Sequence, residues 1–458
     1  MHKADHIELD VHHTRLGTVV GIPGGPVVMK IPNGPLFIIE EMPWLQSATI
    51  GFFVAQGSGF EPFKYSGITH FIEHMVFKGT KTRSPRDIAL AYEGVGGMLN
   101  ASTGKEFMNV FGRIGARYVQ RGFNVIADMF LNPRFSQADL EKERGVILEE
   151  IRMNNDQPSQ FLYENFSKQL WGRSPLARQI AGTEKSLSGL NSKVVSDWFK
   201  DRFHPDNLVI SIAGKVDAES VPRWWTEISK TKTSLVQFKR ISAKQSIRPI
   251  TPEWKSGVKV YYRDVEQATV ILGLPAPNVR NPERYAYSLL ESILGGGMGS
   301  RLFQQIREKS GLAYDIDTGF SPMRGTGVFT IDSATAPAML FALVEQVLVE
   351  LRKLKDTKAK NAEFKRVKDY LEGSTYLGME ASSSRMYRNA LGMLYLGRLI
   401  PTETVMQRLA EVSLSDVQNC AKKYFTKKNL TCGILLPNGM KDNNSVQHEI
   451  EKLIKKIL

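Results

Sequence analysis

Cysteine is nearly absent from this sequence. Cys420 and Cys432 are the only two among 458 residues, and they lack metal-type spacing. That excludes a disulfide-stapled scaffold and a thiolate metal site, and it suits a reducing compartment. Long apolar runs are missing too. Nothing approaches the roughly 18–20 residues that a membrane-spanning helix needs. The first residues, MHKADHIELDVHH, lack the apolar core of a secretory signal and carry acids, unlike an organellar presequence. These absences lead to the expectation of a soluble, cytoplasmic protein. Low-complexity segments are also absent, and a content of 42% hydrophobic and 23% charged residues argues against disorder.

Acidic residues are outnumbered, 47 against 60 Lys and Arg, for a net charge of +13. The excess does not form a single arm. It gathers in Ser229–Ile250, which carries Lys230, Lys232, Lys239, Arg240, Lys244 and Arg248 and no acid, and again in Arg352–Lys368. Neither stretch interleaves aromatics with its basic residues as a nucleic-acid module would. The charge therefore reads as solvated surface, with no nucleic-acid partner expected. Catalytic signatures of other kinds are missing as well. There is no G-x-S-x-G elbow, and "LGGGMGSRLF" (Leu294–Phe303) lacks the Lys-Ser/Thr of a phosphate loop, so it reads as a flexible turn.

What is present is a duplication. Ala48-Thr49-Ile50 is matched by Ala268-Thr269-Val270 after 220 residues, and Asn207-Leu208 by Asn429-Leu430 after 222. "FSKQLWG", ending at Gly172, resembles "LGMLYLG", ending at Gly397. A near-constant offset of this size marks two related halves and excludes a short solenoid repeat. Within the first half, Leu36–Glu40, Thr49–Val54, Asn109–Ile114 and Leu208–Ala213 read as strands. Helical periodicity covers Gly67–Phe77, Asp87–Val95, Arg117–Leu131 and Ala138–Met153. The expected class is α+β: two homologous domains, each a mixed or antiparallel sheet layered with helices. The expected boundaries are 1–228, a basic linker at 229–252, and 253–458.

Histidine is the other scarce residue. Of eight, four crowd the first thirteen positions and have no expected role, and two more, His70 and His74, stand in GITHFIEHMVFKGT (Gly67–Thr80). On a helix these two lie one turn apart on one face, with Glu73 on the adjacent strip. Two such imidazoles can share one Zn²⁺ at about 2.0–2.1 Å. A neighbouring carboxylate can then act as general base towards a water attacking a carbonyl. Phe71, Ile72, Met75 and Phe77 supply the packing of the same helix. A catalytic zinc takes three protein ligands, so one must come from elsewhere. "LEKERGVILEEIRM" (Leu140–Met153) is the best candidate. Its stripe of Leu140, Glu143, Val146, Ile147, Glu150 and Ile151 places two carboxylates among apolar residues, which is costly unless they are paired or metal-bound.

H-x-x-E-H followed by a glutamate in "ERGVILEEI", 76 residues after His74, resembles the pitrilysin/insulinase zinc peptidases, most nearly their processing-peptidase branch. The resemblance spans nearly the whole chain, including the duplication. It implies a zinc metalloendopeptidase with one Zn²⁺ per chain, held by His70, His74 and Glu150, with Glu73 activating water and Glu143 supporting the site from behind. It implies that Asn100 and Ala101, in "GGMLNAST" (Gly96–Thr103), hold substrate as an added strand. It also implies that Arg307 and Tyr314, in "SRLFQQIREKSGLAYDID" (Ser300–Asp317), steady the scissile carbonyl. Met108 and Asn109 depart from the family's pattern after that strand. In the second half Ser288 and Ser292 stand where the histidines would, so that half cannot build the same site. The family acts on short or unfolded polypeptides in a chamber enclosed by paired chains, so a homodimer, or a heterodimer with a related subunit, is expected. The rival expectation is a non-catalytic or regulatory subunit of such a complex, whose ligands would be broken.

Overall fold

Residues Ser47–Val54 read SATIGFFV, and all but the first are buried. A strand with no polar alternation needs cover on both faces. A computed structural model, which describes residues 10–14, 17–21, 25–32, 34–230, 248–440 and 445–458, shows that cover. Ala48, Ile50, Phe52 and Val54 face one core with Phe71, Phe123, Phe130 and Leu140. On the opposite face Phe53 packs with Ile38, Met386 and Ala390.

The chain forms two compact units. The first comprises Met1–Ile151, Gln179–Arg248 and Leu377–Leu399. Its strands are β1 (Asp10–Thr14), β2 (Gly17–Gly21), β3 (Val27–Lys30), β4 (Leu36–Glu41), β5 (Ser47–Val54), β6 (Met98–Thr103), β7 (Met108–Gly115) and β8 (Leu208–Gly214). They assemble in the order β1-β2-β3-β4-β8-β5-β7-β6. The β4–β8 pair is parallel and the others are antiparallel. His12 and His13 fall within β1.

The second unit comprises Arg152–Arg178, Pro249–Tyr376 and Ile400–Leu458. Its strands are β9 (Gly257–Arg263), β10 (Ala268–Pro275), β11 (Ile316–Pro322), β12 (Gly327–Thr335) and β13 (Thr431–Pro437). Their order, β11-β12-β10-β13-β9, is that of β6-β7-β5-β8-β4, and the parallel pair recurs as β13–β9. Register is kept as well. Ile50 faces Ile212 across β5 and β8, and Val270 faces Ile434 across β10 and β13. The duplication read from sequence is thus a duplication of sheet topology, with β1–β3 added to the first copy.

The units do not follow the expected sequence boundaries. Arg152–Arg178 belongs to the second unit and Leu377–Leu399 to the first. Each supplies the helix that covers the outer face of a sheet. In the second unit the helix Pro158–Trp171 sets Leu162 and Phe166 against Ile271 and Leu435. In the first, the helix Ser382–Leu396 is tied down by polar contacts. Ser382 and Thr49 share a hydroxyl hydrogen bond at 2.8 Å, Ser211 Oγ donates to Met386 O at 2.9 Å, and Asn389 Nδ2 donates to Glu40 at 2.7 Å. Glycines make room. A Cβ on Gly51 would lie 2.4 Å from Met386 Sδ, and one on Gly273 would lie 2.4 Å from Phe166 Cζ. Of the expected linker, 231–247 lies outside the described residues, and Lys230 ends a helix that begins at Ser220.

Candidate functional site

The histidine helix runs from Ile68 to Met75 and is held by its apolar face, with Ile68, Phe71, Ile72 and Met75 fully buried. Its start is fixed by two features. Gly67 takes φ 93°, and a Cβ there would meet Ala181 O at 2.5 Å, so only glycine fits. The carboxylate of Glu61, itself buried, accepts from Gly67 N and Thr69 N at 2.8 Å each. An anion at a helix N-terminus satisfies orphan amides and suits the helix dipole. Sequence reasoning missed Glu61, because it lies outside the motif, ahead of a short 3-10 turn at Phe63–Tyr65.

The packing rotates His70 and His74 to one side, with ring centroids 4.8 Å apart. The helix Gln137–Asp156 brings up Glu143 and Glu150. Leu140, Glu143 and Ile147 are buried and Glu150 is half-buried, as the stripe predicted, but Val146 is 50% exposed. It lies to one side of the line through Glu143, Ile147 and Glu150, so the stripe is narrower than periodicity suggested. Glu150 turns one oxygen to each imidazole: Oε1 is 3.7 Å from His70 Nε2 and Oε2 is 3.6 Å from His74 Nε2.

This donor set fits zinc. One nitrogen or oxygen donor from each of His70, His74 and Glu150 lies within 4.8 Å of the other two, and no other such group of three occurs among the described residues. Ligands about 2.1 Å from a tetrahedral ion lie about 3.4 Å from one another, close to the separations Glu150 makes. His74 Nδ1 lies 3.2 Å from Glu143 Oε2, and the neutral tautomer protonated on Nδ1 donates there and presents Nε2 as a lone-pair donor. Lys78 Nζ lies 2.6 Å from the other oxygen of Glu143.

Electrostatics separate the two imidazoles, and only His70 is shifted towards the neutral form that ligates a metal. Burial, assisted by His74 and opposed by Glu150, pushes the His70 pKa down to about 4, keeping the ring neutral. Burial pulls His74 down as well, but its hydrogen bonds with Glu150 and Glu143 together outweigh that and leave it raised. The His74 hydrogen bond lowers Glu150 against the opposing effect of burial. Burial raises Glu73, opposed by the Thr103 hydroxyl that donates to its Oε2 at 2.5 Å.

β6 is the edge strand that the sequence suggested, and its last residue, Thr103, is the one bonded to Glu73. Asn100 is exposed and Ala101 half-buried. Ala101 N donates to Asn100 Oδ1 at 2.8 Å, so the side chain of Asn100 caps an amide of the edge strand. Met108 and Asn109 are fully buried, and Asn109 is bonded to Ser102 and Tyr387, so their departure from the family pattern alters the core. Arg307 and Tyr314 belong to the second unit and are brought together there. Arg307 lies on a π-helical turn, its guanidinium 4.7 Å from the ring centroid of Tyr314, a residue that is 83% exposed. The helix Arg284–Gly295 carries Ser288, Glu291 and Ser292, and Ser288 Oγ merely returns to Arg284 O at 3.0 Å.

Residues 36–184 match the family described as Insulinase (Peptidase family M16), and residues 189–371 match the Peptidase M16 inactive domain. An uncharacterized zinc protease of Bacillus subtilis is 32% identical over 411 residues, 89% of this chain and 97% of its own length. The crystal structure of a protease from Helicobacter pylori superimposes with a TM-score of 0.80 at 21% identity, covering 90% of this chain and 99% of that one. A Pseudomonas fluorescens structure described as a peptidase M16 inactive domain gives 0.80 at 21% identity, covering 90% and 98%.

Proposed function

The chain belongs to the insulinase family of peptidases, M16, and from that premise we propose that it is a zinc-dependent endopeptidase acting on short or unfolded polypeptides. The observation that carries this reading is the convergence of His70, His74 and Glu150, with donor atoms all within 4.8 Å, in the half that also holds Glu73. A non-catalytic subunit would have no need of an intact donor set together with a half-buried base.

His70, His74 and the Glu150 carboxylate would hold the ion. When bound, Zn²⁺ supplies a Lewis acid that polarises a carbonyl and brings the pKa of water towards about 7. Glu73 takes the proton of the attacking water. Its raised pKa makes it a stronger base than a solvated glutamate, and Thr103 holds one oxygen so that the other is free to receive the proton. The edge of β6 takes the peptide as an added strand, with Asn100 giving up the Ala101 amide to the substrate backbone. Main-chain recognition of this kind accepts many sequences. Arg307 and Tyr314 are assigned to the substrate carbonyl, and pairing with a second, related chain is expected. Among the described residues no helix is long and apolar enough to cross a membrane.

Zinc content and cleavage of an internally quenched peptide test the reading. Wild type should bind about one Zn²⁺ per chain and cleave, whereas Glu73→Gln should bind zinc and lose about 10²–10⁴-fold in rate. Equal, negligible cleavage by both metal-loaded proteins would sink it. A peptide library then defines the substrates.

A further inference from the structure

Glu143 is 5% exposed and sits between Leu140 and Ile147 in the stripe that packs against the core. A carboxylate so placed is costly unless each oxygen is engaged. Both are: Oε2 accepts from His74 Nδ1 at 3.2 Å, and Oε1 lies 2.6 Å from Lys78 Nζ. The result is a line of three groups, Lys78, Glu143 and His74, ending at the back of an imidazole.

The backbone of Lys78 is fixed. Its N donates to Met75 O at 3.0 Å, and its O accepts from Arg134 Nη2 at 3.1 Å. The next residue, Gly79, takes φ 107°, and a Cβ there would lie 2.9 Å from Arg83 O, so the chain must turn at glycine immediately after the lysine. His70 offers a contrast. Its Nδ1 is buried with no hydrogen-bond partner among the described residues. Among the described residues, only one of the two imidazoles is oriented from behind.

We infer that Lys78 is a positioning residue of the metal centre: it anchors one oxygen of Glu143 so that the other holds His74 Nδ1–H and keeps Nε2 aimed beside Glu150. This rests on the zinc reading above. The inference carries a sign that bare electrostatics does not. A lysine near a dication repels it, so deleting the charge alone would tighten zinc binding. Loss of orientation weakens it, typically by about 10–100-fold for a group acting behind a ligand.

The test is the zinc dissociation constant of the full chain, measured by competition with a chromophoric chelator, with no need for substrate. Lys78→Met should weaken zinc about 10–100-fold and Lys78→Arg by less than about threefold. In a Glu143→Gln background, Lys78→Met should add less than about twofold, because its route to His74 is already cut. Apo melting temperatures in the same samples identify a folding defect. If Lys78→Met melts early, Lys78→Gln takes its place, with the same direction expected. Unchanged or tighter zinc binding by the Lys78 variants overturns the inference and leaves the peptidase reading standing. So does a full-sized effect that persists in Glu143→Gln. A wild type that binds no zinc overturns both.

Discussion

Thr318 donates its hydroxyl to Glu291 at 2.6 Å, in the half of the chain where serines replace the histidines. Thr103 does the same to Glu73 in the first half. A Cβ on Gly295 would lie 2.0 Å from Thr318 Oγ1, so glycine there keeps the strand close to the helix. The glutamate–threonine bond therefore belongs to the duplicated fold and does not depend on a metal. In the first half the same bond holds Glu73, the proposed base.

That difference can be measured. Thr103→Val should lower kcat about tenfold with KM within about twofold and zinc content unchanged, and Thr103→Ser should restore most of the loss. Thr318→Val should leave kcat near wild type and cost about 1 kcal/mol of stability, read by denaturant unfolding.

Gly51 and Gly273 should tolerate no side chain. Gly51→Ala would set a methyl against Met386, and Gly273→Ala would set one against Phe166. Each should destabilise by about 1–3 kcal/mol in chemical denaturation. Shortening the opposing residue, as in Gly273→Ala with Phe166→Leu, should recover part of the loss, because the two sites share one contact.

Asp332 gives the fold a pH dependence. Burial, with Asp317 and Asp315 adding to it, lifts its pKa from 3.8 to about 6. The folded state thus favours the protonated acid. That contribution is complete below the unfolded pKa near 4 and is lost as pH rises through about 6. At neutral pH the charged form is a burden, reduced by partial solvent exposure to about 1 kcal/mol. Asp332→Asn should raise the melting temperature by about 2–4 °C at pH 7.5, and the gain should vanish at pH 4.

Metal removal should be felt as stability as well as activity. With free Zn²⁺ at 100 times its dissociation constant, chelation should cost about 2.7 kcal/mol of folding free energy and abolish cleavage. His74→Ala should melt at the same temperature with and without chelator.

The convergence of His70, His74 and Glu150 was legible in part: helical spacing puts His70, Glu73 and His74 on one side, the apolar stripe marked Glu143 and Glu150 alike, and the family resemblance singled out Glu150. The strands β4, β5, β7 and β8 fall within two residues of their expected limits, since buried runs of branched and aromatic residues leave little choice. Glu61, Lys78 and Thr103 were not legible as site residues. Each acts through hydrogen bonds or an ion pair to groups that folding brings near, and no spacing rule announces it. The helices Pro158–Trp171 and Ser382–Leu396 were misallocated for a related reason. Periodicity shows that a helix has an apolar face but not which sheet that face covers.

The crossed membership of those two helices bears on how such a chain can evolve. After an ordinary duplication, the copy that loses its ligands is free to be deleted or replaced. Here each copy's sheet is completed by a helix encoded in the other, Phe166 filling the space above Gly273 and Met386 the space above Gly51. Deleting the metal-free half would strip the outer cover from the half that keeps the histidines. Selection on one site thereby preserves two folds, and the silent copy persists as part of the working copy's own core.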